Sequence, residues 1–246
     1  MGRERRFDAI TFDFWETLVR TSGGDTRAAR GRAVTAALGR HGCEVDGKAL
    51  EVAFEHAFVL YDDAWRQNRQ VTAVEAGGFV LDHLGVELSP EARTEVVDAF
   101  TTGALGLDME LTDHLEETLV ALKERELRLG IICDVGLTPS PVLRSYLAVH
   151  GVLDLFDHWS FSDEVGCYKP AREIFEHALA GLGGIDPARV AHVGDLRRTD
   201  IAGAQAMGIT AVRYSGANDD PAQPGLPEGD HVIADHADLL DALDLT

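Results

Sequence analysis

Five aspartates stand at or just beyond the C-terminal ends of short apolar runs. Asp13 ends FDAITFD, Asp134 follows LRLGIIC, Asp163 follows WSFS, and Asp195 follows VAHVG with Asp200 five positions on. One aspartate after a strand is unremarkable, because Asp suits turns and helix starts. Several brought to one sheet edge would repel one another unless a cation sat among them. An oxygen-only cluster that also admits waters and a phosphate oxygen suits Mg2+. Lys169 is one of only three lysines and stands in the loop GCYKP just ahead of a helix. A fixed ammonium beside carboxylates and a metal is what an anionic substrate needs. Taken alone, the same residue reads as an exposed turn lysine.

Elements that would carry these residues are legible in the hydrophobic pattern. Residues 7–13 read as a strand, and TSGG at 21–24 as a flexible exit. From there to about 105 the pattern is helical, over 26–39, 47–66, 72–84 and 89–104. In the second of these, Leu50, Ala53, Phe54, Ala57, Phe58, Tyr61, Ala64 and Trp65 recur at helical spacing and form one apolar face. Most of its aromatics are expected in a core. Ser89-Pro90-Glu91 is a helix start, a capping side chain followed by proline at the first position. After about 110, helices at 112–126, 141–149, 171–181 and 199–207 alternate with strands at 127–133, 157–161, 189–193 and 209–213. A loop at 215–230, a strand HVIA and a terminal helix close the chain. Alternation of this kind predicts an α/β fold with a Rossmann-like parallel sheet covered on both faces. The first strand lies before a helical insert and the others after it. The expected division is a core of 1–20 and 110–246 with a helical insert at 21–109.

The chain has 246 residues, enough for one large domain or a domain with an insert. Its net charge of −20 disfavours nucleic acid and anionic membranes, which reward a basic face. No apolar run reaches the roughly 18–20 residues that span a bilayer, and MGRERRFDAI lacks the apolar stretch of a secretory signal. Cys43, Cys133 and Cys167 are too few and too scattered for a disulfide framework or a zinc site. A reducing cytoplasm is the expected compartment.

In this order the motifs resemble the haloacid dehalogenase (HAD) superfamily. ITFDFWETL at 10–18 is similar to its first motif, hhhh-D-x-D-x-T, and LGIICDVG at 129–136 to its second, a strand ending in Ser or Thr. VGCYKPAREIF at 165–175 is similar to the third, a lysine before a helix, and VGDLRRTDIAGA at 193–204 to the fourth, GD-x-x-x-x-D. The helical insert falls where this family places a cap between its first two motifs. The resemblance implies a phosphatase-like hydrolase of a small phosphorylated molecule, with Asp13 as nucleophile through an aspartyl-phosphate. It implies Mg2+ held by Asp13, the backbone carbonyl of Trp15 and Asp195, with Asp200 supporting the metal through water or an outer contact. Lys169 would hold nucleophile and phosphate in register. Thr17, Cys133 and Asp134 would lie along the substrate, with Thr17 placing the phosphate or locking its loop.

Two positions depart from that pattern. Trp15 occupies the place of the second aspartate, which in the family protonates the leaving group, and an indole does no acid–base work near neutral pH. The replacement acid is then Glu16, a histidine such as His56 or His83, or the substrate itself; otherwise turnover is slow or the leaving group good. Cys133 replaces Ser or Thr and donates a weaker hydrogen bond; Asp134 replaces a frequent Asn. An aromatic residue at position 15 also resembles the 2-haloacid dehalogenases, which need no metal. The missing acid equally fits a HAD-derived binding or regulatory protein. Lys48, the insert's one lysine, reads as a surface residue, and His192 as a packed strand histidine. Arg197 and Arg198 read as contacts to a substrate anion, as partners of the carboxylates, or as solvated surface. Gly203-Ala204 reads as a close helix–sheet contact.

Overall fold

The computed structural model describes residues 6–21, 26–103 and 109–245. The chain forms two compact units, an α/β unit from 1–22, 109–134 and 144–246 and a helical unit from 23–108 and 135–143. Except for Thr21, the expected flexible exit at 21–24 lies outside the described residues.

Strand β1 is Ala9–Phe12, followed by β2 at Val19–Thr21. The helical stretch holds α1 Thr26–Arg40, α2 Gly47–Arg66, α3 Ala73–Leu84 and α4 Pro90–Thr102. Then come β3 Met109–Leu111, α5 Leu115–Glu124, β4 Arg128–Cys133, α6 Ser140–Val149, β5 His158–Phe161, α7 Ser162–Val165 and α8 Arg172–Gly181. The chain closes with β6 Val190–Gly194, α9 Ala202–Ala206, β7 Thr210–Tyr214, β8 His231–Ile233 and α10 Leu239–Ala242.

The six-stranded sheet runs β5-β4-β1-β6-β7-β8, and every pairing is parallel. Every residue of β1 and β6 is buried, as strands covered on both faces require. That is why they read as mostly apolar runs, interrupted only by Thr11 and His192, and not as alternating ones. The chain leaves β1 for β4 on one side and returns for β6 on the other. β1 is therefore the switch point, where open sheets of this kind gather ligands beyond their carboxyl ends. Register sets the alignment: Phe12 pairs with both Ile131 and Val193, so the three strands end nearly level.

Several features differ from the sequence reading. β2 and β3 pair antiparallel, Val19 opposite Leu111, in a small second sheet where the chain leaves and re-enters the α/β unit. Three residues are too few to show a period. The helix expected at 199–207 is instead a wide π-type turn at Arg197–Ile201 followed by the short α9. That wider winding lets Asp200 turn back toward β6, as described below.

In the helical unit, local sequence and structure agree at the caps. Asp46 accepts from the Ala49 amide, Thr72 and Glu75 form a reciprocal capping box, and Ser89 accepts from the Ala92 amide ahead of Pro90; each orphan amide so satisfied is worth about 1 kcal/mol. Phe54, Val80, Leu81, Val96 and Phe100 centre the core. The α2 aromatics depart from expectation. Phe54 is buried, but Phe58 is 46% exposed and Tyr61 and Trp65 are half-buried. A four-helix unit needs only one stripe of α2, and its second aromatic edge is left over. Among the described residues, no helix is long and apolar enough to cross a membrane.

Candidate active site

Because β1, β4 and β6 are neighbours, their C-terminal ends bring together residues far apart in sequence. Asp13 follows β1, and its amide still bonds the Val193 carbonyl at 2.8 Å. The loop between α7 and α8 carries Lys169 over the end of β4. There Lys169 is 1% exposed and all three N–H groups of its ammonium are used. It bonds Asp13 Oδ1, Asp200 Oδ1 at 2.6 Å and the Ile132 carbonyl at 2.8 Å. The Lys169 amide bonds Asp134 Oδ1 at 2.9 Å. The turn lysine of the sequence is therefore a fixed buried cation, and Asp134 helps to fix it.

Asp200 is the second anchor. Its Oδ2 accepts from the Leu196 amide at 3.0 Å, and its Oδ1 lies 3.3 Å from His192 Nε2. Burial pushes His192 below its ordinary value, so the ring is neutral. An ionised Asp200 then requires the proton on Nε2, leaving Nδ1 to accept from the Thr11 hydroxyl at 2.9 Å. His192 is thus packed, as expected, and also joined to the acid cluster through Asp200. Gly194 is required here, because a Cβ would lie 2.4 Å from Asp200 Cγ.

Asp195, 3% exposed, completes the group. Asp13, Asp195 and Asp200 each place one oxygen within 4.8 Å of the others. Burial pushes Asp13 up to about 7, with Asp200 adding to the rise against Lys169. Burial, then Asp200 and Asp13, push Asp195 up to about 8. Burial also opposes ionisation of Asp200, but Lys169 and His192 outweigh it and hold that carboxyl well below the usual range. Burial likewise works against Lys169, and Asp13 and Asp200 overcome it, keeping the ammonium charged. Three carboxylates face one ammonium. The local excess of negative charge is what a divalent cation neutralises, and an oxygen-only donor set is what Mg2+ takes.

Sequence reasoning passed over the segment after β7, read only as a loop. Asn218 Nδ2 donates to Asp195 Oδ2 at 2.6 Å, and the Arg197 amide donates to Asp220 Oδ2 at 2.8 Å. Arg197 is 4% exposed and pairs with Glu228 at 2.6 Å, which settles its reading against solvated surface. His236, also missed, donates to the Thr17 carbonyl at 2.9 Å, stacked on Tyr214. No local spacing marks Asn218 or His236, whose partners are 23 and 219 residues away.

The remaining expectations divide. Thr17 is fully buried; its carbonyl is held by Thr112 and His236, and among the described residues its hydroxyl has no hydrogen-bond partner. Cys133 is fully buried, and burial pushes its thiol well up, with Asp13 adding to the rise; it is a neutral strand-end residue. Trp15 is half-buried, edge-on to Phe14 at 5.1 Å. Asp163 lies in α7 and is not one of the three clustered acids. His56 and His83 are exposed and lie against each other at 4.7 Å, and Lys48 is exposed at the start of α2. Gly203 is a close contact, but with a helix and not with the sheet as expected: a Cβ there would lie 2.6 Å from the ring of Phe175 on α8.

A Rossmann-like parallel sheet that collects an acid, a buried lysine and two further acids in this chain order defines a class of α/β hydrolase. The sequence matches the haloacid dehalogenase-like hydrolase family over residues 7–208, and the chain belongs to that family. It is 27% identical to the mouse (Mus musculus) haloacid dehalogenase-like hydrolase domain-containing protein 3, over 100% of this chain and 97% of that protein. It is 30% identical to the (S)-2-haloacid dehalogenase of Pseudomonas sp. strain YL, over 84% of this chain and 78% of that enzyme. It is 29% identical to the ribulose-1,5-bisphosphate 5-phosphatase of Halopiger xanaduensis, over 79% and 87% of the two chains.

Proposed function

We propose that this hydrolase removes phosphate from a small phosphorylated molecule with Mg2+ bound at Asp13, Asp195 and the backbone carbonyl of Trp15. Asp200 would support the metal through water or an outer contact. The observation that carries the reading is the buried Asp13–Asp195–Asp200 group with its excess negative charge, balanced in part by Lys169. A bound Mg2+ would supply charge neutralisation for the phosphoryl oxygens.

The protein's own residues do the rest. An Asp13 carboxylate oxygen attacks phosphorus as the P–O bond to the leaving group breaks, giving an aspartyl-phosphate. Lys169 holds Asp13 Oδ1 and offers positive charge to the phosphoryl oxygens. Asp134 keeps the Lys169 backbone in place, Thr17 locks the loop after the nucleophile through its carbonyl, and Cys133 shapes the strand end beside the phosphate. Water then attacks phosphorus and frees Asp13. Trp15 cannot protonate the leaving group, so the substrate is one whose leaving oxygen tolerates negative charge or carries its own proton donor. The helical insert serves as the cap that sets specificity.

The test is phosphate release from a panel of small monoesters with Mg2+ or with chelator. Activity that needs Mg2+ and is lost in Asp13→Asn is expected; turnover indifferent to chelator sinks the proposal. A second reading, displacement of halide from a 2-halo acid by Asp13, is favoured by the aromatic Trp15. Chloride release without metal would establish that reading instead.

A further inference from the structure

We propose that Asn218 is a positioning residue that fixes the Asp195 carboxylate for Mg2+, held there by a strap at 218–220. This rests on the metal reading above and extends it to a segment outside the four motifs. Three successive side chains of the strap grip the α/β unit. Asn218 bonds Asp195 Oδ2 at 2.6 Å, Asp219 pairs with Arg213 at 2.8 Å, and Asp220 accepts from the Arg197 amide at 2.8 Å. Glu228 closes the ring, 2.6 Å from Arg197 and 2.7 Å from Arg213. Arg213 in turn lies on β7 opposite Gly194, the residue just before Asp195. The strap is therefore anchored on both sides of the carboxylate that it touches.

The physical consequence concerns geometry. A buried carboxylate can turn about its Cβ–Cγ bond and offer a cation either oxygen or both. The hydrogen bond from Asn218 occupies Oδ2 and opposes that rotation, so that Oδ1 would be left as a single ligand oxygen. Mg2+ demands a near-ideal octahedron at short distances, whereas Ca2+ accepts variable and bidentate carboxylates. Outer groups that orient a ligand typically govern metal affinity about 10–100-fold. Asn218 should therefore favour Mg2+ over Ca2+, which a merely structural role would not do.

The experiment is titration calorimetry of the full chain with Mg2+ and with Ca2+, for wild type, Asn218→Ala, Asn218→Ser and Asp195→Asn. Melting in chelator monitors the fold. The expected result is Mg2+ affinity about 10–100-fold weaker in Asn218→Ala, with a distinctly smaller change for Ca2+. Asn218→Ser reads the same effect if the alanine variant does not fold. Wild-type Mg2+ affinity in the Asn218 variants, or equal losses for both ions, overturns this inference while leaving the metal reading intact. Failure of the wild type to bind either ion overturns both.

Discussion

Replacing Lys169 by methionine keeps the length of the side chain and removes one buried positive charge. The ammonium serves Asp13, Asp200 and the Ile132 carbonyl at once, and Lys169 is 1% exposed. Removing one partner of a buried ion pair costs about 3–5 kcal/mol, because the other charge is left without compensation. For a chain of this size that is a melting temperature lower by roughly 6–20 °C at pH 8, at about 2–4 °C per kcal/mol. The sign of the pH dependence is the sharper test. In the variant, Asp13 and Asp200 are buried acids with no ammonium, so their folded pKa values lie above the unfolded value of about 4. Native protein then binds more protons than unfolded protein, and stability falls as pH rises above about 4 until both carboxyls have ionised. Lowering the pH from 8 to 6 should return about 1.4 kcal/mol per pH unit for each proton retained. Mg2+ at 100 times its dissociation constant should restore about 2.7 kcal/mol by mass action. Adding Asp200→Asn should recover part of the loss. The assay is thermal melting at pH 6, 7 and 8 with and without Mg2+. A variant as stable as wild type at pH 8, or one that weakens as pH falls from 8 to 6, would refute the electrostatic account.

Trp15→Asp should restore the missing acid and raise phosphatase kcat by about 10²–10⁴-fold; no gain in phosphate release would show that more than this arm is absent. Gly203→Ala drives a methyl into the Phe175 ring and should cost about 1–3 kcal/mol by overpacking, read as a lower melting temperature with Mg2+ affinity unchanged. Cys133 is buried with its thiol pushed well up, so it should resist iodoacetamide at pH 8 in the folded protein, as peptide mass spectrometry would report. Rapid alkylation there in the folded protein would contradict the reading of Cys133 as a buried, neutral strand-end residue. In the metal-free protein Asp13 stands at about 7 and Asp195 at about 8. Mg2+ must displace those protons, so its apparent affinity should rise with pH up to about 8 and level off above; a flat profile between pH 6 and 8 in calorimetry would contradict this.

The sequence alone determined the order of the parallel strands and the longer helices, though not β2, β3 or α7, and it marked Asp13, Lys169, Asp195 and Asp200 as candidates. These were legible because buried parallel strands impose mostly apolar runs, and because a carboxylate beyond a strand end leaves a local mark. The Ser89 cap was legible because that physics acts within a few residues, whereas the partner of Gly203, Phe175 on α8, was not. Only the tertiary structure decided what the other polar groups do. His192 looked like a packed strand residue until Asp200 lay against it, and Arg197 and Asp134 had no partners in sequence. Nothing in ANDDP foretold that Asn218 holds Asp195, or that the surplus aromatics of α2 stay half-exposed. Those outcomes depend on the β1 switch point and on the wide turn before α9, which bring together groups tens to hundreds of residues apart. Periodicity reports the burial of a face, whereas the partner of a buried charge is set by the register of the strands that carry it.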